Sequence, residues 1–304
     1  MQRAYMSALM ELAEKDKNIL HLIADSGTGF DEMFRRNFPG QMYNFGISEQ
    51  LMTGAAAGMA IAGKIPFVFT YGSFLVHRAF EFIRNDICFQ NISVKMAGMG
   101  CGLSVSTLGP SHHTTEDISV LRSLPNLTLL SPATPAQTAE SVRTAYETPG
   151  PVYVRIGMNN EREFFGESYT PSISGLDEVI TGREVVVFST GSILAEAYEA
   201  VNLLRESGVD AGLVNVWRLK PFDSGAFLEA VKGAGLVVSV EEHSIHGGLG
   251  GILSEVIAEK GGPRLRRIGL ADKFAAGYGT LERVRAENGL DAKSIYESIT
   301  EAMR

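Results

Sequence analysis

The chain has 304 residues, of which 45% are hydrophobic and 20% charged, which allows two domain cores and excludes a wholly disordered chain. Its formal net charge of -8 disfavours binding to nucleic-acid phosphates, so we expect no nucleic-acid partner. Because no apolar run reaches the roughly 18 residues that span a bilayer and no apolar signal segment begins the chain, we expect a cytoplasmic protein without a membrane partner. Two cysteines, Cys88 and Cys101, are too few for a disulfide framework or an iron–sulfur cluster.

Helices and apolar strands alternate in the first half of the chain. The pattern predicts helices in the first 18 residues and at 51–62, 74–88 and 135–146, and strands at 19–24, 66–70, 92–97, 127–130 and 152–156. Strands that are apolar along their whole length are typical of a parallel sheet covered by helices on both faces.

The pattern breaks between residues 158 and 182, which are rich in Asn, Ser, Pro and Gly. A second series then predicts strands at 184–189, 211–216, 236–240 and 264–268, with helices at 192–207, 224–232 and 249–260. We therefore predict two consecutive α/β domains with mainly parallel sheets. Residues 1–165 form the first, residues 166–182 a linker with one short strand, and residues 183–304 the second.

Glu49 stands in the segment FGISEQ, just before a helix of small apolar residues. A carboxylate there could be an ordinary first-turn acid, stabilised by the helix dipole. The helix is too apolar for a surface helix, however, which favours a buried carboxylate. Such a group needs a partner or has a raised pKa, the setting for acid–base work.

Aromatic and basic residues follow the strand at 66–70. Tyr71 and Phe74 lie at its C-terminal end, where ligands bind in open α/β sheets, although Phe74 and Phe80 are also of the type that fills cores. His77 and Arg78 fall in the first turns of the next helix. They either face solvent or reach the same crevice.

Two further segments carry polar residues suited to a site. In GPSHH, His112 and His113 are adjacent and lack a third ligand, which disfavours a metal and favours a proton-transferring or substrate-binding histidine. A Ser-His-Asp hydrolase is excluded because no nucleophile elbow occurs. Arg155 ends a buried strand and needs an anionic partner, either a substrate phosphate or carboxylate or an internal salt bridge.

The segment EEHSIHGGLGG, residues 241–251, follows a strand and opens a helix, as a phosphate-binding loop does. It lacks the G-x-G-x-x-G spacing and the P-loop lysine. Domain packing or a contact between subunits explains it about as well.

Six segments follow one another along the chain: FGISEQ, GSFL, GPSHH, PVYVR, EVVVFSTGS and VEEH-x3-GGLGG. As an ordered set they resemble the transketolase family, in its pyrimidine-binding domain followed by its C-terminal domain. The resemblance spans essentially the whole chain and implies thiamine-diphosphate chemistry. It implies the transfer of a two-carbon ketol unit from a ketose, phosphorylated or otherwise anionic, to an aldose. Because the family's Gly-Asp-Gly diphosphate signature is absent, the resemblance implies a split enzyme. A partner subunit would supply the diphosphate domain and all Mg²⁺ ligands, in an α2β2 heterotetramer.

The resemblance also implies residue roles. Glu49 would hydrogen-bond N1′ of the cofactor's aminopyrimidine, which favours the imino tautomer that removes the thiazolium C2 proton. His112 would contact donor hydroxyls or move a proton. The other implied residues are Phe74, Tyr71, Ile47 and Phe80 for the cofactor, and Arg155, Ser26 and either His77 or Arg78 for the substrate.

The sequence departs from typical transketolases at several positions. Leu108 replaces an Asp that reads a substrate hydroxyl, Ser48 and Gln50 replace Arg and His beside Glu49, and the histidine expected near Gly100 is absent. GISEQ is closer to deoxyxylulose-phosphate synthases, so the donor stays open. The alternatives are such a synthase, the β subunit of a 2-oxoacid dehydrogenase E1 component and a catalytically silent paralogue. The polar GPSHH loop favours a transketolase.

Overall fold

The computed structural model describes residues 1–26, 29–159, 161–166 and 169–304. The strands are β1 Ile19–Ile23, β2 Met42–Asn44, β3 Ile65–Tyr71, β4 Lys95–Met99, β5 Thr128–Leu130, β6 Val152–Ile156, β7 Leu176–Ile180, β8 Val185–Thr190, β9 Ala211–Val216, β10 Arg218–Lys220, β11 Leu236–Ser244 and β12 Arg264–Leu270. The helices are α1 Gln2–Lys15, α2 Gly29–Asn37, α3 Glu49–Ile61, α4 Gly72–Arg78, α5 Asp117–Arg122, α6 Pro135–Glu147, α7 Leu194–Glu206, α8 Ser224–Ala230, α9 Leu249–Lys260, α10 Leu281–Glu287 and α11 Ala292–Met303. A π-helical segment covers Phe82–Cys88 and a 3-10 turn covers Gly191–Ile193.

The first sheet has the strand order β10-β5-β6-β4-β3-β1-β2 within the described residues. Its strands run parallel except β10, which pairs antiparallel with β5. Strands β1, β4 and β6 are buried along their whole length, which explains their continuous apolar runs. Tyr71, at the end of β3, lies opposite Met99 at the end of β4, so both strands end at the same sheet edge.

The second sheet has the order β12-β11-β8-β9-β7 within the same described part of the chain. It is parallel except for β7, which pairs antiparallel with β9. Helices α7 and α11 pack against each other, and α9 packs against β11. Two α/β domains with mainly parallel sheets were predicted, and that fold class is confirmed.

Two edge strands do not follow the predicted domain boundaries. Strand β7 lies inside the predicted linker at 166–182 but belongs to the second sheet, and β10 comes from the second half but extends the first sheet. Both are short antiparallel edge strands without an apolar run, so periodicity could not assign them to a sheet. Glu167 and Ser168 of the predicted linker lie outside the described residues.

The single helix predicted at 74–88 is divided in the structure. Helix α4 ends at Arg78, and the chain continues into the π-helical segment. This segment packs on α3, where an added Cβ at Gly54 would lie 3.2 Å from Phe82 Cδ1. The small residues of α3 therefore allow a close approach, and the break leaves Arg78 at a helix end. No helix in the described parts of the chain is long and apolar enough to cross a bilayer.

Candidate active site

A cleft of about 860 Å³ lies between the two domains, a size suited to a small-molecule ligand. One wall follows the C-terminal end of β3, and the opposite wall follows the C-terminal ends of β11 and β12. Open α/β sheets bind ligands beyond these strand ends. The lining residues used below are Ser73, Phe74, His77, Arg78, His113, Glu116, Ser244 and 270–274.

Glu49 is the first residue of α3, and only 2% of it is exposed. Arg78 Nη1 donates a hydrogen bond to Glu49 Oε2 at 2.8 Å. Both interpretations of the sequence apply, since Glu49 is a first-turn acid and is also buried. A buried carboxylate needs such a cation partner, because its desolvation is otherwise uncompensated.

The guanidinium of Arg78 also lies over the ring of Phe74, with Cζ 4.2 Å from the ring centroid. This is a cation–π contact. Glu49 and Phe74 therefore hold one flat, nitrogen-bearing cation, which donates to the carboxylate and stacks on the aromatic face. The two residues form a place for a planar group with an N–H donor.

Three rings form a cluster beside this pair. The centroid distances are 5.0 Å for Phe74 and His112, 5.7 Å for Tyr71 and His112, and 5.9 Å for Tyr71 and Phe74, all with edge-on geometry. Burial, followed by the positive charge of Arg78, lowers the pKa of His112. A neutral imidazole offers one donor and one acceptor, and Ser111 Oγ lies 3.0 Å from its Nδ1.

His77 points to a different partner from that of Arg78. Its Nε2 lies 3.7 Å from Glu116 Oε2. The interaction with Glu116 raises the pKa of His77, and the interaction with His77 lowers the pKa of Glu116. Thr115 Oγ1 donates to Glu116 Oε1 at 2.8 Å. Both His77 and Arg78 line the cleft, but of the two it is Arg78 that reaches Glu49.

Arg155 is not placed as an open substrate ligand, and that prediction is corrected here. Its side chain is buried, and Nε donates to Asp117 Oδ2 at 3.0 Å. Its Nη2 donates to the carbonyl oxygens of Thr114 and Glu242 at 3.1 and 2.9 Å. The internal salt bridge is the interpretation that holds, because Asp117 supplies the anion and the contact with Glu242 joins the two domains.

Of the predicted residues, Phe74, His77 and Arg78 line the cleft, and Glu49, Tyr71 and His112 adjoin this lining through their contacts with Arg78 or Phe74. Three further predicted residues lie outside the lining. Ile47 is 75% exposed and precedes Glu49. Phe80 is half-buried and packs on the core of the first domain. Ser26 Oγ donates to the carbonyl oxygen of Phe69 at 3.4 Å, and Gly27 and Thr28, which follow it, lie outside the described residues.

The loop that carries His112 is held by the second domain. Ser106 Oγ donates to the carbonyl oxygen of Gly279 at 2.8 Å, and Gly279 N–H donates back to the carbonyl oxygen of Ser106 at 3.2 Å. Gly109 has a φ of +70°, and an added Cβ would lie 2.1 Å from Tyr278 Cε1. The ring of Tyr278, from the other domain, therefore packs directly on the Gly109–Pro110 turn that was predicted from the sequence.

The glycine-rich segment at 241–251 is not an open phosphate loop. Glu241 accepts hydrogen bonds from the N–H groups of Leu249 and Gly250, at 2.7 and 2.9 Å, at the start of α9. An added Cβ at Gly248 would lie 2.0 Å from Glu241 Oε2. The chain's own carboxylate thus occupies the anion position at this helix start, which supports the packing interpretation.

The second domain's share of the cleft, Ser244 and residues 270–274, was not predicted from the sequence. The predicted site also contained His112 rather than His113, and it did not contain Ser73. No local pattern marks the first group, because they meet the cleft only through tertiary packing. No group of three His, Cys, Asp or Glu side chains in the described residues is arranged to hold a metal ion.

Two family models match consecutive parts of the chain. They are the transketolase pyrimidine binding domain, over residues 1–162, and the transketolase C-terminal domain, over residues 177–295. The chain is 36% identical to a putative transketolase C-terminal section of Methanocaldococcus jannaschii, over 100% of this chain and 96% of the relative. It is 34% identical to one of the subunits of the apulose-4-phosphate transketolase of Actinobacillus succinogenes, over 92% of this chain and 91% of the relative.

The chain is also 33% identical to a 1-deoxy-D-xylulose-5-phosphate synthase of Geobacter sulfurreducens over 95% of its length, and it spans 46% of that relative. A solved structure described as "Split gene transketolase, inactive beta4 tetramer" superposes with a TM-score of 0.91 at 35% identity, covering 99% of this chain and 97% of that one. The family shared by these matches agrees with the ordered segments quoted above. The chain belongs to the transketolase family and corresponds to its pyrimidine-binding and C-terminal domains.

Proposed function

We propose that this chain is the pyrimidine-binding subunit of a two-chain transketolase that uses thiamine diphosphate. The observation that carries the proposal is the flat cation held between Glu49 and Phe74. A ring-protonated aminopyrimidine is likewise flat and cationic and has an N–H donor at its edge. The guanidinium of Arg78 is a stand-in for it, so the residues present fit the group.

The chain's own residues would act on the bound cofactor and substrate in distinct ways. Phe74 would stack on the pyrimidine, and Glu49 would share a proton with the ring nitrogen in a site from which water is largely excluded. Arg78 would have to leave the place that it takes in this structure. Thiamine diphosphate supplies, when bound, a nucleophilic carbon and an electron sink. His112, neutral and beside Phe74, would exchange a proton or a hydrogen bond with a substrate oxygen.

The diphosphate group and Mg²⁺ would be held by a partner subunit, in an α2β2 assembly. Next to Glu49, the apolar side chains of Ile47 and Leu51 are 75% and 63% exposed, as expected for a surface that another chain covers. The solved relative that this chain matches over 97% of its length is described as an inactive beta4 tetramer. Both observations favour an enzyme completed by a second chain.

The donor would be a ketose with an anionic group. A relative in Actinobacillus succinogenes is named for apulose 4-phosphate. Since Arg155 is bonded internally, other cations would bind the anion here. Arg78, His77 and Lys273 are exposed at the rim of the cleft and are the candidates.

The test is a donor panel on the chain co-produced with its partner subunit, with thiamine diphosphate and Mg²⁺ added. Transfer of a ketol unit from hydroxypyruvate or a ketose phosphate to an aldose supports the proposal. The second candidate is a deoxyxylulose-phosphate synthase, favoured by the 33% identity to such an enzyme. Turnover only with pyruvate and glyceraldehyde 3-phosphate would establish that candidate and reject ours.

A further inference from the structure

Two buried polar side chains in the cleft have no hydrogen-bond partner among the described residues. His113 is 4% exposed, and neither of its ring nitrogens is bonded. Ser73 is 5% exposed, and its Oγ is likewise unbonded. Buried polar groups in native proteins are nearly always hydrogen-bonded, so two unbonded groups in one ligand-sized cleft point to a missing partner.

The sequence neighbours of these two side chains lie close together. An added Cβ at Gly72, the residue before Ser73, would lie 3.1 Å from Thr114 Oγ1, and Thr114 follows His113. The start of α4 therefore lies close to Thr114, the residue that follows the GPSHH loop, so Ser73 and His113 are each one residue from this close approach. Ser244 and Leu270 of the second domain line the same cleft.

His113 lines the cleft directly, whereas His112 adjoins it through Phe74. His112 contacts Phe74 and Tyr71, on the side assigned to the pyrimidine. The charges that act on His113 are instead those of Glu242, from the second domain, and Glu116, with a smaller effect of His112. His113 shares the lining of the cleft with Ser244 and residues 270–274, so the second domain contributes to the wall beside it.

The chemistry of the pair indicates its ligand. Burial lowers the pKa of His113, so the ring is neutral near pH 7 and offers one N–H donor and one nitrogen acceptor. The hydroxyl of Ser73 also both donates and accepts. An alcohol group on the ligand can donate to the unprotonated ring nitrogen and also accept a hydrogen bond, whereas a fully ionised phosphate or sulfonate has no proton to donate to that nitrogen. The cations of this cleft lie at its rim.

We propose that His113 and Ser73 form a subsite that binds a hydroxyl group of the sugar substrate, away from the carbons that react. The subsite rests on the proposed transketolase function and names its substrate class, a polyhydroxylated chain. It makes His113 a specificity-determining residue, in a recess that the second domain helps to build. A sugar too short to reach His113 and Ser73 should gain no binding free energy from this subsite.

Binding can be tested without turnover, using xylitol, a five-carbon polyol with no carbonyl group. Saturation-transfer NMR on the assembled enzyme compares wild type with His113→Phe, which keeps the ring and removes both nitrogens. His246→Phe is the matched control, since His246 is exposed and outside the cleft lining. We expect transfer to xylitol in wild type and the control, with at least ~10-fold weaker binding in His113→Phe. No transfer in wild type, or equal transfer in all three proteins, would overturn the subsite.

A kinetic series supplies the second readout, with hydroxypyruvate as donor and aldose acceptors of two to five carbons. We expect kcat/KM of His113→Phe to fall at least ~10-fold for the four- and five-carbon aldoses and to stay within about twofold for glycolaldehyde. His113→Gln, which keeps a donor and an acceptor, should recover part of the loss, and Ser73→Ala should act in the same direction. A uniform loss over all acceptors would mean a merely structural role. If no acceptor reacts even in wild type, the transketolase proposal fails, and the xylitol result still decides the subsite.

Discussion

Arg78 makes two contacts of different kinds, a hydrogen bond to Glu49 and a cation–π contact with Phe74. Its side chain is 43% exposed, whereas that of Glu49 is 2% exposed. The cation can therefore swing into solvent, while the carboxylate stays in place. This asymmetry suits a site in which the protein's own side chain yields to an incoming ligand.

The variant Glu49→Gln is expected to lower the ketol transfer rate of the assembled enzyme by at least ~100-fold, because the proton shared with the ring nitrogen is lost. Its free energy of unfolding should change by less than about 1 kcal/mol, since an amide still fits and Arg78 can turn to water. Single-turnover kinetics and thermal melting measure the two quantities. Unchanged transfer would mean that the catalytic carboxylate lies elsewhere.

Removing the guanidinium of Arg78 should strengthen the binding of the cofactor. Arg78→Met is expected to tighten the binding of thiamine diphosphate to the assembled enzyme about tenfold, because the cofactor no longer displaces a cation–π contact and an ion pair. Calorimetric titration measures Kd, with Arg84→Met as the control at an exposed arginine bonded to Asn85. Weaker binding in Arg78→Met would show that Arg78 is a cofactor ligand instead.

At the scale of elements, the ion pair of His77 and Glu116 joins α4 to the chain between the GPSHH loop and α5. The pKa of His77 is raised from 6.5, so its contribution to stability is complete below that pH and is lost as the pH rises through the folded value. The pKa of Glu116 is lowered from 4.5, so its contribution is present above that pH and is lost as the pH falls through the folded value. The ion pair therefore stabilises the fold most between about pH 4.5 and 6.5.

The variant His77→Gln should show this window. Its thermal midpoint should fall below that of wild type between about pH 4.5 and 6.5, and the difference should shrink as the pH rises through the folded pKa of His77 or falls through that of Glu116. The effect corresponds to less than about 1 kcal/mol, since both side chains are about 40% exposed. Glu116→Gln should give the same profile without adding to it, and a pH-independent difference would contradict the ion pair.

Tyr278 holds the same loop from the other domain. Tyr278→Ala should speed amide hydrogen exchange of residues 106–113 and raise KM for the acceptor several-fold, because the Gly109 turn loses its cover. Global stability should change little, since Tyr278 is 61% exposed. Tyr43→Ala, at a tyrosine 46% exposed on β2, is the control. Unaltered exchange in the loop would show that Tyr278 does not hold it.

Sequence patterns predicted the strands that are buried on both faces. They missed the edge strands, which are recognised only by their backbone pairing with a neighbouring strand. Strands β1, β3 and β6 were predicted because their residues are buried in an unbroken run, whereas the edge strands β7 and β10 have no such run. The site divides in the same way. Glu49, Phe74 and His112 follow or precede predicted elements, and the structure brings them together.

The remaining site features depend on contacts between distant parts of the chain. Asp117, the partner of Arg155, lies 38 residues away, and no spacing rule joins the two. The cover on Gly109 comes from Tyr278, and the second wall of the cleft follows β12. Sequence patterns report local periodicity, so they cannot show which end of one sheet faces which end of another.

At the scale of the whole molecule, a buried ion pair in each domain is connected across the domain boundary through Glu242. Arg155 pairs with Asp117 and donates to the Glu242 carbonyl oxygen, while the Glu242 carboxylate accepts from Arg285 Nε at 2.5 Å. Arg285 also pairs with Glu196 at 3.2 Å. The network runs from β6 of the first sheet to α10 of the second domain.

Arg155→Met should reduce the free energy of unfolding by roughly 3–5 kcal/mol, because Asp117 would be left buried without its cation. Arg162→Met, which breaks an exposed pair with Glu199, should cost less than about 1 kcal/mol. Urea unfolding of both variants measures the difference. Unchanged stability together with weaker substrate binding in Arg155→Met would restore Arg155 as a substrate ligand.

The packing of Tyr278 on Gly109 has an evolutionary consequence. A crossover between related genes that falls in the segment joining the domains would place Tyr278 against a turn inherited from another lineage. Any residue other than glycine there would collide with the ring and strain the backbone. Positions 109 and 278 should therefore be inherited as a matched pair, and a record of exchanged domains among relatives should show them changing together.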